Sequence, residues 1–171
     1  MQNGCQNLYV SKALVVVDVQ VCMFFGAWPV PDADGLLFRI ANRVLSARID
    51  AVPVVWVQND GPEGELDAPG MPFWELALAP RVGELVVRKT TQDVFESNPE
   101  LAQELQARGI DELEIVGLQS EMCLRASALG AKRAGFNVTV DRTLHGTYGQ
   151  EGRSADEISD AVQSELEQEL R

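Results

Sequence analysis

The sequence predicts an α/β fold in which a parallel sheet is covered by helices on both faces. Two observations carry this. Short apolar, β-branched runs recur along the chain and read as strands buried on both faces. Helical spacings with their own stop signals fall between the later runs, the alternation that builds βαβ units. The length of 171 residues fits a single domain spanning 1–171 with one core.

The first strand is Ala13–Val19 (ALVVVDV). A helix over Ala33–Ile49 follows from the spacing of Leu36, Leu37, Ile40, Val44, Leu45 and Ile49, with Asp32 as its N-cap. Further strands are expected at Val52–Val57, Leu85–Val87, Leu113–Val116 and Val138–Val140. Pro99–Arg108 reads as a helix with Asn98 as N-cap, Pro99 at the first helical position and Gly109 as its stop. Another covers Met122–Ala134 and ends at Gly135, and the last runs over Ala155–Leu170 behind the cap Ser154. The exception is Asn59–Pro80, with four prolines, three glycines and little periodicity, a loop of a length that is usually either functional or disordered.

Composition removes several classes of function. A net charge of −12 disfavours nucleic acid and anionic membrane, whose phosphates would repel the chain. Part of that charge is local: segment 151–171 holds seven acids, read as a solvated helix face. The apolar runs are strand-length, far short of a membrane span. Cys5, Cys22 and Cys123 are an odd number with no paired spacing, so neither a disulfide framework nor a zinc site is expected, and reduced thiols suit the cytosol. The N-terminal MQNGCQN has no basic segment leading into an apolar run, so no signal peptide and a cytoplasmic location are expected.

In a parallel α/β sheet, ligands bind at the carboxyl ends of the strands. Asp18 ends the first strand, Lys89 directly follows Leu85–Val87, and Cys123 lies shortly after Leu113–Val116. A thiol in the first turn of a helix feels the positive end of the macrodipole, which favours thiolate, while Glu121 opposes it. Taken alone, Cys123 reads equally well as a small packing residue. Asp18, after a run of apolar residues, needs a partner if it is buried, and Lys89 is available. His145, the only histidine, falls in the expected loop after the last strand and is a minor candidate base or substrate contact. There is no Walker loop, GxGxxG or GxSxG. VVVDVQ resembles the start of an aspartyl-phosphate phosphatase, but Gln20 stands where the second aspartate belongs.

The segments LVVVDVQ, VVRKTTQDVF and VGLQSEMCLRASALGAKRAGFNVTV, in this order, resemble the isochorismatase-like cysteine hydrolases, from about Leu14 to the C-terminus. That group includes nicotinamidases, N-carbamoylsarcosine amidase and streptothricin-hydrolase-like amidases. The resemblance implies a three-layer α/β/α Rossmann-like fold with a six-stranded, mostly parallel sheet. It implies an Asp18–Lys89–Cys123 triad: the thiol forms a thioester with a small amide, lactam or ester, Asp18 acts as base, and Lys89 orients and polarises. The backbone N–H groups of Met122 and Cys123 would hold the oxyanion, and a cis peptide is implied at Leu118–Gln119.

Two departures from the family pattern matter. The long loop lacks the histidines with which nicotinamidases hold a metal, and Asp60 and Asp67 alone are poor zinc ligands, so no metal and no cofactor are expected. Val21 follows Gln20 where the family commonly has asparagine, which places Cys22 and Met23 near the site and makes its rim apolar. Phe24 and Trp28, after the first strand, and Trp74 on the long loop are candidate substrate contacts. Phe73, Trp74 and Leu78 either cap the site or meet a partner subunit in a homo-oligomer, dimer or tetramer, or else simply fold the loop onto its own domain. Two other readings stay open. One is vinyl-ether hydrolysis of the isochorismate type, in which the cysteine is often replaced; the other is a non-catalytic scaffold.

Overall fold

The computed structural model describes residues 11–171. The expectations about the N-terminal segment and Cys5 lie outside the described residues. Five parallel strands form one sheet in the order β3-β2-β1-β4-β5. They are β1 (Ser11–Val17), β2 (Val54–Asn59), β3 (Leu85–Lys89), β4 (Ile110–Leu118) and β5 (Asn137–Gly146). Five among the described residues is one fewer than the family resemblance implies. The last strand is long and interrupted: Asn137–Val140 pair with the first part of β4, and the register then shifts before His145 and Gly146 pair with Gly117 and Leu118.

The alternation of side chains along each strand divides the core in two. Leu14, Val16, Val54, Trp56 and Val116 pack on one face against Leu36, Ile40 and Val44 of α2 (Ala33–Ile49). Val15, Val17, Val55, Leu113 and Ile115 pack on the other. There they meet α4 (Leu101–Ala107), α5 (Arg125–Arg133) and α6 (Ala155–Glu169). These are the three layers of an α/β/α sandwich. Strand β1 is buried on both faces because helices cover both, which explains its unbroken apolar run.

Two short helices, α1 (Val21–Phe24) and α3 (Val94–Ser97), carry too little periodicity to be read from sequence. Of two expected caps, Asp32 keeps its position without a capping bond and Asn98 does not. Asp32 sits at the start of α2 with φ 55°, makes no capping bond, and instead pairs with Arg39. Asn98 closes α3 and donates to the carbonyls of Arg88 and Val94, so α4 begins two residues later than expected. At α6 the expected Ser154 cap is present, and Glu157 completes a capping box.

Candidate active site

The strand order reverses between β1 and β4, so the carboxyl ends of these neighbours flank the point where open α/β sheets bind ligands. Asp18 leaves β1 with φ 51°, a left-handed conformation uncommon for a residue with a side chain. Beside it, β4 ends through Gly117 at φ 124°, where a Cβ would lie 2.0 Å from the Val17 carbonyl oxygen. Only glycine allows the two strands to approach so closely. The Leu118–Gln119 peptide that follows is cis. The chain then forms a π-helical turn, Ser120–Leu124, with Met122 outside helical geometry, before α5 begins.

This backbone brings Asp18, Lys89 and Cys123 together. The Lys89 ammonium donates to Asp18 Oδ2 at 2.9 Å, to Cys123 Sγ at 3.1 Å and to Asn59 Oδ1 at 2.9 Å. Asp18 and Lys89 are 2% and 1% exposed, so the pair is desolvated. Asp18 Oδ1 is buried with no partner among the described residues. Burial pushes the Asp18 carboxyl above its usual range, against the pull of Lys89. Burial works to lower Lys89, but the charge of Asp18 and the hydrogen bonds to Asp18 and Cys123 outweigh it, so its pKa is raised.

The Cys123 thiol is pushed up to about 12, first by burial and then by the Asp18 charge. This corrects the first-turn thiolate expected from sequence. Cys123 lies in an irregular π turn, and desolvation beside a carboxylate outweighs any macrodipole. At rest the thiol, its pKa raised, lies against the hydrogen-bonded Lys89–Asp18 pair. Glu121 is not among the groups that shift the thiol; its Oε1 accepts from Thr147 and Gln150.

Four other expectations fail on geometry. His145 belongs to β5 itself, 2% exposed, and both ring nitrogens are used, Nδ1 with Ser120 Oγ at 2.7 Å and Nε2 with Gln163 Oε1 at 3.1 Å. It ties the π turn to α6 and is neither base nor substrate contact; burial holds its pKa down. Phe24 is buried in the α2-side core. Trp74 is spent on the long loop: its indole N–H lies 3.1 Å from both the Asn59 carbonyl and Asp60 Oδ1, with Arg88 stacked 5.0 Å over the ring. The Met122 N–H, expected at the oxyanion, donates to the Gln119 carbonyl at 3.1 Å.

Trp28 lines a cleft of roughly 210 Å³ with Cys22, Met23, Asp67, Gln119 and Tyr148. Asn59 links this cleft to the triad, holding Asp67 of its wall through Nδ2 and Lys89 through Oδ1. Two residues of this site were missed from sequence. Gln20 is 1% exposed and clamps the long loop to β2, donating to the carbonyls of Asn59 and Trp74 and accepting from the Asn59 N–H. Asn59, which ends β2, holds Lys89 through Oδ1 and Asp67 through Nδ2. The strand-end argument that selected Asp18 would also have selected Asn59. Asp60 is committed to Arg88 and Trp74, and no group of three metal-ligating side chains occurs among the described residues.

Comparison with known proteins bears on this architecture directly. The Isochorismatase domain family matches residues 12–165. The chain belongs to the isochorismatase family. Within this family it is 42% identical over 153 residues to a streptothricin hydrolase of Streptomyces noursei, covering 88% of this chain and 54% of that protein. It is 26% identical over 171 residues to a ureidoacrylate amidohydrolase of Methylobacterium radiotolerans, covering 77% of this chain and 66% of that protein. The chain thus spans little more than half the length of the streptothricin hydrolases it matches. An isochorismatase of Pseudomonas putida KT2440 superposes with TM-score 0.84 at 22% identity, covering 92% of this chain and 84% of that one. These matches agree with the three-layer fold. Among the described residues no helix is long and apolar enough to cross a membrane.

Proposed function

We propose that this isochorismatase-family chain is a cysteine hydrolase that cleaves a small amide, lactam or ester without a metal. The observation that carries the reading is Lys89 bridging Asp18 and Cys123 in a desolvated site while Asp18 Oδ1 stays unpartnered. An orphaned buried carboxylate oxygen costs stability unless something uses it. Here it is the acceptor for the thiol proton.

In the first half-reaction Cys123 Sγ attacks the carbonyl carbon as its proton passes to Asp18. The Lys89 ammonium, 3.1 Å from sulfur, stabilises the charge that develops there. The oxyanion falls to the Cys123 N–H, since that of Met122 is already spent. Collapse of the tetrahedral species breaks the C–N or C–O bond, Asp18 returns the proton to the leaving group, and a thioester remains. In the second half Asp18 deprotonates water, which attacks the thioester and releases the acid and the thiol. Asn59 Oδ1 accepts from the Lys89 ammonium and helps to position it.

The similarity to amidohydrolases supports the amide class. A panel of small amides and lactams assayed for released ammonia or ring opening tests it, with intact-mass detection of an acyl adduct on Cys123. Turnover that survives Cys123→Ala would sink the reading. The proposal includes a homo-oligomer, supported by exposed Phe38, Leu45 and Ile49 along one face of α2, and a reducing, cytoplasmic setting, supported by the free thiols Cys22 and Cys123. Sedimentation as a monomer would remove the former.

A further inference from the structure

We infer that Gln119 is a specificity-determining residue whose side-chain carbonyl accepts from an N–H of the substrate, which makes that substrate an amide, lactam or ureide rather than an ester; the inference deepens the hydrolase reading above and rests on it. Gln119 lines the cleft that holds Trp28 and Tyr148. Its backbone carbonyl accepts from the N–H groups of Met122 at 3.1 Å and Leu124 at 3.2 Å, on either side of Cys123 in the chain. The residue is thus tied to the turn that carries the nucleophile. One end of its carboxamide meets Thr147 Oγ1, and the other has no hydrogen bond among the described residues. That free end is open to solvent, since among the described residues the sealed side-chain atoms without a partner are Asp18 Oδ1 and Glu121 Oε2.

Protons decide which end is free. Thr147 is 1% exposed, and its hydroxyl lies between two side chains, 2.9 Å from Glu121 Oε1 and 3.4 Å from Gln119 Oε1. The hydroxyl has one proton, and a carboxylate oxygen accepts without donating. Glu121 Oε1 accepts from Gln150 Nε2 as well, at 2.9 Å. The Thr147 proton therefore goes to Glu121, and towards Gln119 the hydroxyl offers lone pairs alone. The 3.4 Å separation fits this, because an O–H to carbonyl bond spans roughly 2.7–2.8 Å. A half-turn of the Gln119 amide exchanges its oxygen and nitrogen with little change of shape. It sets Nε2 against the Thr147 lone pairs and leaves Oε1 to the cleft. Tyr148, next to Thr147, donates to the Trp28 carbonyl at 2.8 Å, which anchors the same segment a second time. An acceptor held in this way favours a ligand that brings an N–H to it. An ester brings only lone pairs and would leave Oε1 unpaired.

Two neutral alkylating probes of similar size test this. Iodoacetamide carries N–H groups and methyl iodoacetate carries none. Labelling of Cys123 by each is followed by peptide mass spectrometry and normalised to the reagent's rate with glutathione. The protein should favour iodoacetamide by about fivefold, the worth of one hydrogen bond. Gln119→Met removes the acceptor and Thr147→Val frees the amide to turn, so each should bring the ratio to about one, whereas Thr147→Ser should keep it. No preference in the parent, a preference retained by Gln119→Met or Thr147→Val, or its loss in Thr147→Ser overturns the inference. In turnover, Gln119→Met should lower kcat/KM for acetamide at least about fivefold and leave that for methyl acetate within about twofold. An equal loss on both, or turnover of the ester alone, shows that Gln119 only shapes the turn and overturns the inference. If neither compound is hydrolysed while labelling behaves as expected, the hydrolase reading falls and the donor preference of the cleft stands.

Discussion

Glu84, at the amino end of β3, accepts from Arg48 Nε and Nη2, from the Trp56 indole N–H and from the Arg81 backbone N–H. Asp18, at the carboxyl end of β1, has one oxygen on Lys89 and the other on nothing among the described residues. The two carboxylates respond in opposite directions. Hydrogen bonds from Arg48 hold Glu84 down at about 2, while burial pushes Asp18 up. Glu114 on β4 behaves like Glu84: burial works to raise it, but its hydrogen bonds with Arg43 and Lys12 prevail and lower it. One end of the sheet completes its ion pairs and gains stability. The other leaves a carboxylate short of partners, as the proposed role of Asp18 as a base requires of a site that gives up local stability for chemistry.

The sharpest way to break this comparison is to remove the thiol. Cys123→Ala should reduce amide turnover by about a thousandfold or more and leave thermal unfolding almost unchanged, because the lysine–aspartate pair stays intact. Parallel loss of activity and melting temperature would show that Cys123 merely packs α5 onto the sheet. At the other end, Glu84→Gln should cost about 2 kcal/mol in urea unfolding with kcat/KM unaffected. The folded value of Glu84 lies below its ordinary 4.5, so its stabilisation is present above that pH and is lost as pH falls towards 2. The variant should lack that slope.

The pH profile of kcat/KM sharpens the contrast further. Asp18 must be ionised to accept the thiol proton, and its pKa is raised, so the acid limb should lie above the ordinary value of 3.8. A limb at or below that value contradicts the role given to Asp18. The smallest effect is the most telling. Replacing the pair together, Asp18→Asn with Lys89→Met, should shift unfolding by no more than about 1 kcal/mol in either direction, since a buried ion pair seldom repays its desolvation. A loss of several kcal/mol would mean that this end of the sheet, too, is built for stability.

The strands were legible because burial on both faces leaves an apolar run that no neighbouring residue can disguise, as in Leu14–Val17. The long helices were legible through their periodicity, and α6 through Ser154 and Glu157. Asp32 holds the expected cap position but spends its carboxylate on Arg39, and Asn98 closes α3 instead of opening α4, because residues of this type can serve a cap, a salt bridge or a neighbouring turn, and only their surroundings choose. His145 was misread for a similar reason. Sequence placed it in a loop, but β5 continues past its interruption and carries the ring into a pocket between Ser120 and Gln163.

By itself, then, the sequence determined that the chain is an α/β sandwich and which polar residues stand at the ends of its strands, because periodicity and strand-end position are local properties. It also marked Asp18, Lys89 and Cys123 as members of one family pattern. Only the tertiary structure decided that Lys89 bridges the other two, that Asn59 supports it, that Phe24 and Trp74 are spent on the scaffold, and that burial pushes the thiol pKa up. Those outcomes depend on how far water is excluded and on contacts between segments distant in sequence. Burial and long-range charge set them, and neither is written in any single stretch of the chain.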